Sequence, residues 1–228
     1  MTGTTCFVSV LFPRVTQLDL TAPFEVFARV PDAVSHLAWH RVEPVESDSG
    51  LSLLPTVTFD DAPQADVLMV PGGQGAFDLL EDEVALDFVR RQAAGARYVT
   101  SVCTGSFVLA AAGLLEGRRA TTHWASHPML ELLGVVPEKA RVVRDGNVIT
   151  GGGVTSGIDF ALTVAAELCG PEVARGIQLM MEYEPAPPFD SGSPDGADAD
   201  PERVAMMRGW ARATREDVVR RAAARLGR

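Results

Sequence analysis

What most limits the fold of this sequence is a repeated change of period. Short apolar, β-branched runs give way to longer amphipathic ones several times along the chain. The runs at 7–12, 37–42, 67–70 and 98–102 have the length and composition of strands. A further pair, 142–143 and 148–150, flanks the turn dipeptide Asp145-Gly146 and reads as a hairpin. Helical patterns lie between these runs. Thr21 and Pro23 form an N-cap and an early proline before 24–30, Asp82 caps 84–94, and Ser156 opens an apolar run that lasts to Leu168. Strands separated by helices predict an α/β fold with a mostly parallel sheet covered on both faces. Ligands of such sheets bind beyond the carboxyl ends of the strands. Three segments follow strands in that way: Asp19 after the first run, Pro71-Gly72-Gly73 after the third and Cys103 after the fourth.

Cys103 stands where the run Tyr98-Val99-Thr100-Ser101-Val102 meets the helical pattern led by Gly105. A cysteine at a strand-to-helix elbow is held in a tight turn, and the free N–H groups of the following helix favour its thiolate. The alternative is a small buried cysteine that ends a strand. The other two cysteines, Cys6 and Cys169, are far away in sequence and form no CxxC pair, so neither a disulfide framework nor a thiolate zinc site is expected. His36, His40, His123 and His127 lack a plausible third metal ligand, and Gly151-Gly152-Gly153 lacks the lysine and spacing of a phosphate loop. No metal and no cofactor are expected.

With 228 residues and 46% hydrophobic content, one sizeable core needs no covalent staples. The net charge of −10 argues against a nucleic-acid surface and favours a small-molecule ligand. The start, Met1 to Cys6, has no basic leader, and no apolar run approaches membrane-spanning length. A cytoplasmic protein with reduced thiols and no membrane partner is expected.

Several motifs taken together carry a resemblance. Leu11-Phe12-Pro13, Gln17-Leu18-Asp19-Leu20-Thr21-Ala22-Pro23, Val70-Pro71-Gly72-Gly73, Ser101-Val102-Cys103-Thr104-Gly105, Arg119-Ala120-Thr121-Thr122-His123-Trp124 and Thr150-Gly151-Gly152-Gly153 follow one another in order. In this the chain resembles the DJ-1/PfpI superfamily, and within it the isonitrile hydratases. The resemblance implies a flavodoxin-like three-layer sandwich, a homodimer, a nucleophile at Cys103 and an acid at Asp19 near the end of the first strand, with Thr104 as the neighbouring polar contact. It implies an isonitrile as the small-molecule substrate. Other readings that it leaves open are a DJ-1-type enzyme acting on small aldehydes, a redox-sensing cysteine protein, and a ligand-binding domain related to transcription regulators. Proteases of the superfamily carry His directly after the cysteine, where this chain has Thr104; DJ-1 itself carries Glu where this chain has Asp19.

Physical chemistry supports the pairing. A carboxylate beside a thiolate repels it, so the two titrate as a coupled pair and one keeps its proton. If the helix end stabilises the sulfur anion, Asp19 holds that proton. Asp19 also has a plainer role as a helix-entry cap, given Thr21 and Pro23. The N–H groups of Gly72 and Gly73 are candidates to face the reacting centre, or else the two glycines only serve a loop that needs positive φ. Thr104 either bonds the Asp19–Cys103 pair or caps the helix. His123 either approaches Cys103 as a thiol base or donates to backbone beside Trp124.

The C-terminus reverses charge. Residues 185–201 form a strap rich in Pro, Gly and acidic side chains, whereas 203–228 hold eight Arg against Glu216 and Asp217. One helix over 202–226 is expected to pack on the body through Val204, Met207, Ala211, Val218, Ala222 and Leu226. A DNA-reading module would need a supporting second helix, so no nucleic acid is expected, and 1–228 reads as a single domain.

Overall fold

Strand β1 (Thr5–Val10) is an interior strand of a seven-stranded sheet in the computed structural model, which describes residues 3–228. Met1 and Thr2, the first residues of the stretch read for a leader, lie outside the described residues. The other strands are β2 (Ala33–Trp39), β3 (Val57–Thr58), β4 (Val67–Val70), β5 (Tyr98–Val102), β6 (Val142–Asp145) and β7 (Val148–Gly151). Their order across the sheet is β6-β7-β5-β4-β1-β2-β3. Every neighbouring pair is parallel except the β6–β7 hairpin at one edge. Strands β1, β4 and β5 are covered on both faces, which is why apolar residues stand at consecutive positions in them, without a break in β4.

Helices close both faces. On one side α1 (Gln17–Phe27) packs on α4 (Ser156–Cys169), and α4 on α5 (Pro171–Met180). Phe7, Phe27 and Phe160 interlock there, with ring centroids 4.4 Å and 6.3 Å apart along the row. Each such fully buried side chain contributes roughly 1.5–3 kcal/mol relative to exposure. On the other side lie α2 (Glu83–Gly95), α3 (Gly105–Ala111) and α6 (Pro201–Arg225). Asp82 caps α2 by accepting the Ala85 N–H at 3.1 Å.

Three boundaries differ from expectation. The second strand starts at Ala33, four residues before the apolar run at 37–42. The chain turns at Asp32, with φ 54°, and six pairs from Thr5–Ala33 onward then lock β2 to β1. Helix α1 begins at Gln17 instead of after Thr21, so Asp19 sits in its first turn and not at a strand end. Pro23 is therefore inside the helix, where its missing N–H leaves the Asp19 carbonyl without its intrahelical donor. The Pro23 ring packs closely on α4, where a Cβ on Gly157 would stand 3.1 Å from it. In α6 the buried residues are Ala211, Arg215, Val219, Ala222 and Ala223, whereas Met207 stays exposed and Val204 and Val218 are half-buried. The face turned inward is thus rotated from the one expected, and an arginine lies in its middle. Among the described residues no helix is long and apolar enough to cross a membrane.

Candidate active site

Cys103 lies between β5 and α3 with φ 54°, a left-handed conformation. That backbone costs a non-glycine residue on the order of 1–3 kcal/mol. Hydrogen bonds hold it there from both ends. Its N–H donates to the carbonyls of Gly151 at 3.0 Å and Gly152 at 2.8 Å. Its C=O accepts from Thr122 Oγ1 at 2.8 Å and from Ser106 Oγ at 3.2 Å. The glycine run after β7 and the Thr121-Thr122 segment thereby fix the elbow. Cys103 itself is 5% exposed.

Asp19, fully buried, meets Cys103 across Gly72. A Cβ built on Gly72 would fall 2.7 Å from Asp19 Oδ2, 2.7 Å from Cys103 Cβ and 2.6 Å from the Thr104 nitrogen. Only glycine lets the acid, the thiol and the α3 entry converge on one backbone atom. The need at Gly72 is close approach, not positive φ. At Gly73 it is both, with φ 131° and a Cβ position 2.5 Å from backbone atoms of Arg14 and Thr16. Neither Asp19 oxygen completes a hydrogen bond of ordinary geometry.

Thr104 is tied elsewhere than expected. Its hydroxyl accepts the Gly73 N–H at 2.9 Å and donates to the Gly73 carbonyl at 3.0 Å, and it caps no helix. The Gly73 N–H is therefore spent on the loop, while the Gly72 N–H faces the Asp19 carboxyl. What Thr104 offers the sulfur is its backbone N–H.

Burial pushes the Asp19 carboxyl up to about 7, against the pull of the Cys103 thiol and the Gly72 amide. Asp48 adds to the rise. Burial and the facing Asp19 charge push the Cys103 thiol well above its usual range. Helix α3 opens two residues beyond the sulfur and is only seven residues long, and the Thr104 N–H alone does not reverse the balance. Both groups are therefore held toward their protonated forms, and at this separation they titrate as a pair.

His123 is half-buried and neutral. Burial and the positive Arg215 lower it to about 4, and its Nδ1 accepts the Ala125 N–H at 3.3 Å. So weak a base does not deprotonate this thiol. Arg215 lies outside the apolar face expected of its helix, yet it enters the site from α6, 8% exposed. Its position four residues from both buried Ala211 and buried Val219 was the available signal. A cavity of about 350 Å³ opens beyond Thr122 and Gly152, the residues that brace the Cys103 backbone, and is bounded further by Trp124, Gly153 and the strap; Cys103 and Asp19 do not themselves line it. Among the described residues no group of three or more His, Cys, Asp or Glu is placed to hold a metal.

Comparison with known proteins places this geometry. Residues 7–167 match the model of the DJ-1/PfpI family. The chain is 64% identical over 187 residues to an isonitrile hydratase from Pseudomonas putida, covering 82% of each. It is 31% identical to the Parkinson disease protein 7 homolog of Danio rerio, over 74% of this chain and 92% of that one. A crystal structure of a ThiJ/PfpI family protein from Pseudomonas syringae superposes with a TM-score of 0.91 at 39% identity, covering 97% of this chain and 91% of the other. The matched span includes Asp19, Gly72, Cys103 and the glycines that brace it, and with that span the chain belongs to the DJ-1/PfpI family.

Proposed function

We propose that the protein is an isonitrile hydratase, a hydro-lyase that adds water to R–N≡C and releases an N-substituted formamide. The observation that carries this reading is the buried Cys103–Asp19 pair, which meets across Gly72 and sets a carboxyl raised to about 7 beside a sulfur nucleophile. Isonitrile hydration needs both at one carbon. The 64% identity to a curated isonitrile hydratase supports the same substrate.

The proposed chemistry begins with proton transfer from the Cys103 thiol to Asp19. Sulfur then bonds to the isonitrile carbon while Asp19 returns the proton to that same carbon, giving the thioimidate Cys103–S–CH=N–R. Asp19, again a carboxylate, takes a proton from water as the oxygen adds to the carbon, and the nitrogen receives that proton. The C–S bond of the tetrahedral adduct breaks, the hydroxyl proton passes through Asp19 to sulfur, and HC(=O)–NH–R departs with the Cys103 thiol restored. The R group occupies the cavity beside Thr122, Trp124 and Gly153. Cys103, Asp19 and Thr104 carry the reaction, Thr104 through its N–H. Gly72 holds the acid and the sulfur together, and Gly73 anchors the loop.

In this reading residues 1–228 act as one DJ-1/PfpI-like domain, cofactor-free, with 185–201 as a strap and 202–226 as a helix on the body, in a cytoplasmic homodimer. Leu179, Met180 and Phe189 are exposed on the single chain, which supports pairing with a second copy. Light scattering of the purified protein tests the dimer. Incubation with alkyl and aryl isonitriles, with formamide read by mass spectrometry, tests the activity. Formamide from the parent protein and none from Cys103→Ala is expected. Turnover of small aldehydes without formamide would overturn the assignment.

A further inference from the structure

Arg215 is a buried cation with no anion of its own. Among the described residues no carboxylate lies within ion-pairing distance of it, although exposed arginines on the same helix pair with Glu216 and Glu81. Its Nη1 donates to Ser126 Oγ at 2.6 Å and its Nε to Gln74 Oε1 at 3.2 Å. Its guanidinium carbon lies 4.9 Å from the Phe77 ring centre and 4.7 Å from that of Trp210. Gln74, Phe77 and Ser126 belong to the two segments that flank the elbow, and Trp210 to α6 itself. Gln74 directly follows Gly73, which Thr104 holds, and Ser126 closes a turn onto the His123 carbonyl at 2.9 Å. A desolvated, unpaired cation is expensive, and a neutral side chain of similar length would bond Ser126 and Gln74 without that cost.

We propose that Arg215 is a positioning residue for the Cys103 reaction: it clamps the Gln74 and Ser126 segments around the elbow and supplies the positive charge that steadies the sulfur anion as it forms and leaves. The inference rests on the hydratase reading for its kinetic consequence, but not for its effect on the sulfur. The ionisable and charged groups acting on Cys103 are Asp19 from α1, with Asp48 behind it, and Arg215 from α6, which also acts on His123. His123 is neutral and Asp19 opposes an anion, so beside the Thr104 N–H it is the Arg215 charge that favours a thiolate.

The test is the pH dependence of thiolate ultraviolet absorbance, taken as the difference between each protein and its Cys103→Ala counterpart. It is measured in the parent, Arg215→Gln and Arg215→Lys, alongside kcat and KM with an alkyl isonitrile. Arg215→Gln is expected to raise the sulfur midpoint by about one pH unit, the tenfold change that loss of a nearby cation gives. It should lower kcat by tenfold or more with KM within about threefold, the signature of lost transition-state stabilisation. Arg215→Lys should restore most of the midpoint and part of kcat. An unmoved midpoint in folded Arg215→Gln would overturn the proposal and leave Arg215 as a strut for α6. If Arg215→Gln does not fold, Ser126→Ala releases Nη1 while keeping the charge, and its kcat should fall with the midpoint shifted less than half a unit; parent-like kcat there would overturn the clamp. A parent that makes no formamide removes the hydratase reading, while the absorbance midpoints still decide the charge effect.

Discussion

Cys103 and Asp19 press on the same glycine and are held in opposite ways. The cysteine has a strained backbone, and four hydrogen bonds fix its N–H and C=O. The aspartate sits in a relaxed helical turn, and its carboxyl oxygens are left without good partners. In the elbow, stabilising interactions are concentrated on the backbone so that the sulfur has one position. In α1 they are withheld from the side chain, so that its proton stays mobile. Positioning and proton affinity are therefore set by separate parts of the molecule, and substitutions on the two sides should fail differently.

The largest effect is expected on the cysteine side. Cys103→Ala or Cys103→Ser should reduce formamide production by at least about a thousandfold in a folded protein, since the covalent step is lost. Replacement of Cys6 or Cys169 should leave the rate intact; near-normal turnover by the Cys103 variants would remove the covalent route. Next comes the proton. Asp19→Asn should slow turnover by roughly 10²–10⁴-fold, the usual worth of a positioned acid–base group, while Asp19→Glu retains part of the rate.

The same Asn variant should be more stable than the parent, and the sign follows from linkage. A carboxyl raised from 3.8 to about 7 makes the native state bind its proton more tightly than the unfolded chain does. Its stabilising contribution is present below about pH 4 and is lost as pH rises toward 7. The loss at pH 8 amounts to roughly 4 kcal/mol at most, at 1.36 kcal/mol per pH unit. Urea unfolding at pH 8 should therefore show a gain for Asp19→Asn that shrinks at pH 4; equal gains at both would mean that burial of the charge is not what the variant relieves.

Smaller effects separate the two supports. Gly72→Ala drives a methyl between acid and sulfur and should cost about 1–3 kcal/mol of stability, with activity lost beyond what unfolding explains. Thr122→Val removes one bond to the Cys103 carbonyl at nearly constant volume, for about 1 kcal/mol. If Thr122→Val were as harmful to turnover as Gly72→Ala, the backbone bracing would matter more than the acid–sulfur contact.

Much of this architecture is legible in the sequence because the central strands are buried on both faces. Runs such as Val67–Val70 and Tyr98–Val102 have no other use for so many apolar residues, and the Asp82 cap has a local mechanism. The misplacements occur where tertiary contact overrides a local signal. Pro23 looks like a helix start, yet it lies mid-helix because its ring fills the gap left by Gly157. Thr104 looks like a partner for Asp19 or a cap, but Gly73 takes its hydroxyl through contacts 31 residues apart. The sulfur's proton affinity depends on burial, which no neighbouring residue encodes. Arg215 was hidden among eight C-terminal arginines, and only its place between Ala211 and Val219 sets it apart.

The central claim is that the Cys103–Asp19 pair carries a single proton above about pH 7 and delivers sulfur and hydrogen to one carbon. The pH profile of kcat/KM with an alkyl isonitrile tests it most directly. The account predicts a bell. An acid limb near 7 marks protonation of Asp19, which leaves nothing to accept the thiol proton, and an alkaline limb well above the ordinary cysteine range marks loss of the pair's last proton. Asp19→Asn should abolish the acid limb. A rate that rises through the ordinary thiol range and stays level above it, unchanged by Asp19→Asn, would show a free thiolate acting alone and would contradict the account.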